Sequence, residues 1–311
     1  RMKSVCLGHM PPAWFQRYIS ASSSNHRVKV FGKDIHYRRW STQDNPGLLF
    51  VHGYGAHSHW WDFIAPAFIE NFDVVAMDMS GAGDSAHRDL YQARIFATEI
   101  IGVCKDAGLR SPVIIGHSFG GAMTRVAAWA NGGELAGAVL VDTMLSREGR
   151  QRTPVAYTKS GPRTRIRYYD SLAEGAKRFR LRPAQPCANR YILNYIARHS
   201  LARGKKGYSF KLDQALFSKM RGDTGDELPD ALTMITESQC PIGIIYGQNS
   251  RILTAESATI LKDLVGEDLI QCVPDSHHHV FLDQPLAFID TLRNLLPKLQ
   301  TSLAENQNGP S

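Results

Sequence analysis

The stretch that decides the fold is Val113–Gly121, which reads V-I-I-G-H-S-F-G-G. A short β-branched apolar run ends at Gly116, and a helix-like segment begins at Ala122, directly after a G-x-S-x-G pentapeptide. A strand and a helix joined this tightly force Ser118 into a strained backbone conformation, which small neighbours permit. The turn places the Ser118 hydroxyl at the N-terminus of the helix, where negative charge is stabilised. The pattern therefore predicts a serine positioned as a nucleophile.

Apolar runs of strand length surround this stretch and alternate with segments of helical period. The strand-like runs are Leu48–His52, Phe72–Asp78, Val113–Gly116, Gly137–Asp142, Ile242–Tyr246 and Leu269–Val273. The helical segments are Trp60–Glu70, Tyr91–Ala107, Gly120–Ala130, Ala255–Val265 and Val280–Leu296. Because strands that are apolar on both faces and alternate with helices form covered parallel sheets, we expect an α/β fold. Val28–Phe31 and Ile35–Trp40 are predicted to add an antiparallel hairpin at the start.

A His-Gly pair at His52 and three consecutive histidines near the C-terminus accompany the pentapeptide. Together these features resemble the α/β-hydrolase superfamily over residues 28–297. The resemblance implies the α/β-hydrolase fold, with a mostly parallel central sheet flanked by helices and an inserted helical cap. It divides the chain into a lead-in (1–27), a core (28–144 and 226–297), a cap (145–225) and a flexible tail (298–311).

The cap is predicted where the alternation of strands and helices stops, between Asp142 and Cys240. No strand pattern occurs in this part of the sequence. Its helical patches are Arg163–Leu172, Tyr191–Leu201 and Leu212–Met220. Residues 143–225 hold 19 Lys or Arg against five Asp or Glu, whereas the whole chain carries a formal net charge of +7. This excess favours either an anionic substrate or solvated helix faces, and both interpretations remain open.

Composition argues against several classes of protein. No apolar run approaches the roughly 20 residues of a membrane span, and neither a secretory signal nor a nucleic-acid-binding motif is recognisable. The five cysteines are odd in number and include no C-x-x-C, which favours a reducing compartment and hence a cytoplasmic location. We expect a small-molecule substrate, with no cofactor and no metal. The sequence does not indicate an oligomeric state.

The resemblance implies a histidine base near the C-terminus, after the nucleophile and the acid in chain order. Residues 274–285 resemble the family pattern G-H-x-x-x-x-E-x-P, and the register of this pattern selects His278 as the base. Asp283 then stands where the family has Glu. His277 and His279 remain alternatives for the base.

The acid departs from the family pattern. After the strand Ile242–Tyr246 the family shows G-x-x-D, whereas this sequence has a neutral serine, Ser250, at the position of the aspartate. A second location known in the family follows the preceding strand, where this chain has Asp142. We therefore expect Asp142 to orient the His278 imidazole and to stabilise its charged form. The alternative is a carboxylate that only caps the end of the strand.

The remaining candidate residues follow other strands, because open parallel sheets bind ligands beyond the carboxyl ends of their strands. The resemblance implies that the backbone amides of Tyr54 and Phe119 form an oxyanion hole. The residues expected to line the substrate site are His52, Gly53, His117 and Trp60. A metal patch is the alternative role for the three consecutive histidines, but no carboxylate–histidine spacing typical of zinc accompanies them.

These residues imply a serine hydrolase that cleaves a carboxylic ester, lactone or thioester through an acyl-enzyme. Dehalogenases and epoxide hydrolases of the same fold attack with an aspartate at the position of Ser118, so neither chemistry is expected. Three alternatives remain. A carbon–carbon bond hydrolase acting on acidic diketones would suit the basic cap. Cofactor-free haloperoxidase-like members of the resembled family share the triad, and a non-enzymatic receptor could use the same scaffold.

Overall fold

The computed structural model describes residues 10–40, 44–145, 166–221 and 228–307. Within these residues the strands are β1 (Ser24–Val30), β2 (Lys33–Arg39), β3 (Pro46–Val51), β4 (Asp73–Met77), β5 (Arg110–His117), β6 (Gly137–Val141), β7 (Leu201–Gly204), β8 (Gly207–Phe210), β9 (Ile242–Gly247) and β10 (Ile270–Val273). The helices are α1 (Ala13–Ile19), α2 (Ala93–Asp106), α3 (Phe119–Asn131), α4 (Leu172–Ala176), α5 (Arg190–His199), α6 (Leu216–Lys219), α7 (Ala231–Thr236), α8 (Ala255–Val265), α9 (Val280–Asp283) and α10 (Pro285–Gln307).

Eight strands form one central sheet in the order β1-β2-β4-β3-β5-β6-β9-β10. The hairpin β1–β2 is antiparallel, as is the pair β2–β4, and all other neighbours in this sheet are parallel. The six parallel strands coincide with the six strand-like runs predicted from the sequence. Their carboxyl ends lie at one edge of the sheet, so the loops that follow them converge there.

Both faces of the sheet are covered, because successive side chains of a strand point to opposite faces. On β3, Leu49 and Val51 pack under α2 and α3, whereas Leu48 and Phe50 belong to the layer that includes α1 and α10. All four side chains are fully buried. This two-sided burial explains why the strands are apolar throughout instead of alternating with polar residues.

Two of the predicted helices are broken by proline. The prediction of one helix over Trp60–Glu70 is wrong: this segment contains two short 3₁₀ helices, Ser58–Trp61 and Ala65–Phe68. Pro66 at the start of the second cannot donate a backbone hydrogen bond to the preceding turn. Val280–Leu296 likewise divides into α9 and α10, and the second helix begins at Pro285.

The segment predicted as a helical cap is not entirely helical. It contains α4, α5 and α6, but also the antiparallel pair β7–β8. The predicted patch Arg163–Leu172 lies partly outside the described residues, and its described part is not helical before Leu172. The cap contacts the core through partly buried hydrogen bonds: the Tyr195 hydroxyl donates to Asp62, and the Asn189 amide donates to the carbonyl of Leu282.

The ends of the described chain also differ from expectation. Trp14–Ile19 of the predicted lead-in lies within α1, and β1 begins at Ser24, four residues before the predicted hairpin. At the other end, α10 continues to Gln307, into the segment predicted as a flexible tail. Leu299 is fully buried there, which explains why the helix persists. None of the described helices is both long and apolar enough to cross a bilayer.

Candidate active site

The turn between β5 and α3 holds Ser118 in a strained conformation. Its φ of 54° lies in a region that residues with a side chain rarely adopt. The two flanking glycines leave no room for a Cβ atom: one on Gly116 would lie 2.3 Å from Thr124 Oγ1, and one on Gly120 would lie 2.2 Å from the His52 carbonyl oxygen. The G-x-S-x-G spacing is therefore a steric requirement of this turn.

Ser118 and His278 lie within hydrogen-bond distance although 160 residues separate them. The His278 Nε2 atom is 2.9 Å from Ser118 Oγ, and its Nδ1 atom is 3.0 Å from Asp142 Oδ1. A carboxylate only accepts, so Nδ1 carries the proton and Nε2 is free to accept the Ser118 hydroxyl proton. These three residues form a continuous hydrogen-bonded chain. Neither His277 nor His279 makes this contact with Ser118.

Asp142 is completely buried and is held from three directions. Its Oδ1 atom accepts from His278 and from the Ser250 hydroxyl, at 2.7 Å, and its Oδ2 atom accepts from the Gly247 amide, at 3.0 Å. Ser250, at the position where the resembled family has aspartate, is thus a donor to the carboxylate on the neighbouring strand. Buried carboxylates need such hydrogen-bond partners, because an unpaired buried carboxylate is costly.

The two residues expected to supply the oxyanion hole flank the nucleophile. Phe119 is the first residue of α3, and Tyr54 follows Gly53 in the loop after β3. A Cβ atom on Gly53 would lie 3.3 Å from the Cβ of Ser118, so this loop passes directly against the serine. Both rings contact Phe217 of the cap, at centroid distances of 4.4 Å for Tyr54 and 5.8 Å for Phe119.

A cavity lies beside these two residues. Its walls come from the loops after β3 and β4, from α2 and α3, and from the cap. The lining residues are His52, Gly53, Tyr54, Gly55, Met79, Ser80, Ala82, Phe96, Phe119, Leu212 and Leu216. The sequence analysis missed the cap residues Leu212, Leu216 and Phe217, because no local motif identifies which part of a cap covers the site.

The side chains of His52 and His117 are anchored to the backbone. His52 lines the cavity, but its Nδ1 donates to the Gly53 carbonyl and its Nε2 accepts from the Met79 amide. The Nε2 atom of His117 donates to the His278 carbonyl at 3.0 Å. Burial lowers the pKa of both rings, that of His117 well below its usual value, and the nearby His278 adds to the effect on His117. Both rings are therefore neutral near pH 7.

Trp60, expected at the substrate site, is not among the residues that line this cavity. It is buried, and its ring contacts His279 and Phe281. Trp60 therefore contributes to packing behind the histidine loop.

The loop that carries His278 is fixed at both ends. Asp283, which replaces the Glu of the family pattern, accepts from the backbone amide of His277 at 2.8 Å and from the His277 ring. Gln185 of the cap donates to Asp283 and accepts from the His279 amide. The cap thus helps to hold the base in register with Ser118.

The curated relatives of this chain match only a limited segment. A bifunctional esterase/perhydrolase of Acinetobacter calcoaceticus is 36% identical over 92 residues, which cover 29% of this chain and 33% of the relative. Epoxide hydrolase 4 of Homo sapiens is 30% identical over 98 residues, which cover 30% of this chain and 27% of the relative. The chain therefore spans about a third of the length of the curated relatives it matches.

Solved structures are similar over most of the chain. A thioesterase domain from the curacin biosynthetic pathway has a TM-score of 0.69 at 20% identity and covers 87% of this chain and 99% of its own. E-2-(acetamidomethylene)succinate hydrolase has a TM-score of 0.72 at 19% identity and covers 89% of this chain and all of its own. The model of the family described as "Alpha/beta hydrolase family" matches residues 48–291. The chain therefore belongs to the alpha/beta hydrolase family.

Proposed function

We propose that this hydrolase cleaves a carboxylic ester, lactone or thioester through an acyl-enzyme on Ser118. The observation that carries the proposal is the chain of hydrogen bonds from Ser118 through His278 to Asp142, with separations of 2.9 and 3.0 Å. A nucleophile, a base within reach of its proton and a group that orients the base are the three parts that covalent acyl transfer needs.

In the proposed reaction, His278 Nε2 takes the proton of Ser118 as Oγ attacks the substrate carbonyl. Asp142 holds the other ring nitrogen and stabilises the imidazolium that forms. The amides of Tyr54 and Phe119 are the proposed donors to the oxyanion, and one such donor contributes about 3–4 kcal/mol to transition-state binding. The leaving alcohol or thiol takes the proton from His278. Water then attacks the acyl-enzyme with His278 again as the base.

The cavity favours an apolar acyl group. Six of its lining side chains are apolar: Met79, Ala82, Phe96, Phe119, Leu212 and Leu216. No basic residue of the cap lines it among the residues that the structure describes. The described part of the cap therefore gives no support to an anionic acyl group.

Epoxide hydrolysis is the activity named for the human relative, but position 118 argues against it here. An aspartate that opens an epoxide forms an ester, whose carbonyl water can attack. A serine that opened an epoxide would form an ether, which has no carbonyl and would leave the enzyme blocked. Ser118 is consistent only with substrates that bring their own carbonyl.

A substrate panel tests the proposal. Purified protein is assayed against a short p-nitrophenyl ester, a lactone, an acyl thioester and an acidic diketone, with Ser118→Ala as the matched variant. We expect turnover of at least one of the first three that is lost in Ser118→Ala. Turnover of the diketone alone would indicate the carbon–carbon bond hydrolase, and ester turnover unchanged in Ser118→Ala would refute the acyl-enzyme.

A further inference from the structure

Three histidine rings meet behind the nucleophile. His117 precedes Ser118 in the elbow, whereas His278 and His279 come from the loop after β10. The ring centroids are 4.8 Å apart for His117 and His278, 4.9 Å for His278 and His279, and 5.3 Å for His117 and His279. One nitrogen from each ring lies within 4.8 Å of the other two, and all three side chains are buried.

These rings hold unused lone pairs. The Nε2 proton of His117 is directed to the His278 carbonyl, so Nδ1 is the unprotonated nitrogen, and it has no hydrogen-bond partner among the described residues. A backbone hydrogen bond to Pro183 engages one ring nitrogen of His279, and the other nitrogen has no hydrogen-bond partner among the described residues. His117 and His279 are 1% and 2% exposed. Buried polar atoms without a partner are costly and uncommon.

The other buried group of this kind provides a contrast. His36, Asp78 and Asp84 also bring three possible ligand atoms together. There, however, Asp78 accepts from the His36 ring and from the amides of Ser58 and Asp84, and the second nitrogen of His36 contacts Asn25. The hydrogen-bonding capacity of that group is used within the fold. The histidine group behind Ser118 is different, because Nδ1 of His117 has no hydrogen-bond partner among the described residues.

We propose that His117, His278 and His279 form a binding site for Zn²⁺ or a similar transition-metal cation, and that occupancy of this site inhibits the hydrolase. Neutral imidazole nitrogen is a preferred ligand of such ions. Ligand nitrogens on one tetrahedral Zn²⁺ are about 3.3 Å apart, given Zn–N bonds of about 2.0–2.1 Å. Separations of up to 4.8 Å therefore require ring shifts of roughly an ångström, which side-chain rotation can supply.

Two contacts already present would support the ion. Asp142 accepts from His278 Nδ1, which is the carboxylate–histidine arrangement that orients metal-bound imidazoles and raises their basicity. The His278 carbonyl accepts from Nε2 of His117 and would orient the His117 ring in the same way. Ser118 Oγ or a water molecule could occupy the fourth position. A metal on His278 Nε2 removes the lone pair that accepts the Ser118 proton, which is why binding must inhibit.

Binding is tested separately from catalysis, because only the inhibition rests on the proposed function. Tag-free protein is titrated with Co²⁺, followed by the visible absorption of four-coordinate cobalt, and with Zn²⁺ in a calorimeter. We expect one ion per chain. His279→Phe, which keeps an aromatic ring but no ligand, should weaken binding at least 10–100-fold, the range that loss of a mere supporting contact already costs. His277→Gln, on the same loop but with its ring paired to Asp283, should bind as the wild type does.

The outcomes separate the two claims. Absence of binding by the wild type, or equal binding by His279→Phe, overturns the site. If His279→Phe does not fold, diffraction from wild-type crystals at the zinc absorption edge decides instead, since density away from the three rings would also overturn it. Inhibition of ester turnover by Zn²⁺, reversed by chelator and absent in His279→Phe, supports the proposal that the bound ion inhibits the enzyme. Full turnover at saturating Zn²⁺ refutes the inhibition and leaves the site intact.

Discussion

Replacement of Asp142 by asparagine tests the least expected part of the candidate site. The carboxylate accepts three hydrogen bonds, two at Oδ1 and one at Oδ2. An asparagine that keeps its oxygen at the Oδ1 position directs its NH₂ group at the Gly247 amide, so that two donors face each other. The flipped asparagine satisfies Gly247 but directs NH₂ at His278 Nδ1. The imidazole then carries its proton on Nε2, where it cannot accept from Ser118.

Both orientations remove the negative charge that stabilises the imidazolium. In a serine-protease triad the same replacement lowers kcat by about 10⁴-fold, which corresponds to about 5 kcal/mol at 1.36 kcal/mol per factor of ten. We expect a loss of about this size for Asp142→Asn, measured as kcat on p-nitrophenyl acetate. Ser250→Ala removes one donor and leaves the charge, so a loss of about tenfold or less is expected, in line with about 1 kcal/mol for one hydrogen bond.

The comparison of the two variants is the control. Each is first checked by thermal unfolding, because Asp142 is buried and its replacement also affects stability. A folded Asp142→Asn protein that retains kcat within tenfold of the wild type would refute the reasoning and would place the acid elsewhere. Equal, large losses in both variants would mean that the geometry of the loop matters more than the charge.

Three further predictions follow from the packing. Gly120→Ala should lower the free energy of unfolding by about 1–3 kcal/mol in urea, because its Cβ would meet backbone atoms of His52; an unchanged midpoint would contradict this. Burial raises the pKa of Asp78, but the hydrogen bond and charge of His36 lower it overall. Asp78→Asn should therefore cost about 3–5 kcal/mol at pH 7. This cost should shrink below about pH 3.9, because there the Asp78 carboxyl of the unfolded chain binds a proton that the folded carboxyl does not. Leu216→Trp should fill the cavity and lower kcat/KM for a butyrate ester about tenfold relative to an acetate ester, and equal effects on both esters would contradict the cavity as the acyl site.

The sequence was most informative where a local rule determines the structure. The elbow at Ser118 depends on glycines two positions away, so its spacing is readable in the chain. The six parallel strands were predictable for a similar reason, because burial on both faces makes each of them apolar throughout. The selection of His278 over its neighbours and of Asp142 over Ser250 depended on the resemblance and on chain order.

Features that depend on tertiary contacts were not predictable. The hydrogen bond from Ser250 to Asp142 joins loops after two neighbouring strands, and nothing local in either loop specifies it. Phe217 contacts Tyr54 and Phe119 only because the cap folds over the site. The helix over Trp60–Glu70 is different, since Pro66 is a local signal in the sequence that outweighs the apolar pattern.

The most direct test of the central claim is the chemical reactivity of Ser118. The protein is treated with a fluorophosphonate, digested, and analysed by mass spectrometry to locate the phosphonylated residue. We predict a single adduct on Ser118, formed far more slowly in His278→Ala, because activation of the hydroxyl depends on that imidazole. A wild-type protein left unmodified, or an adduct on another residue, would contradict the assignment of Ser118 as the nucleophile.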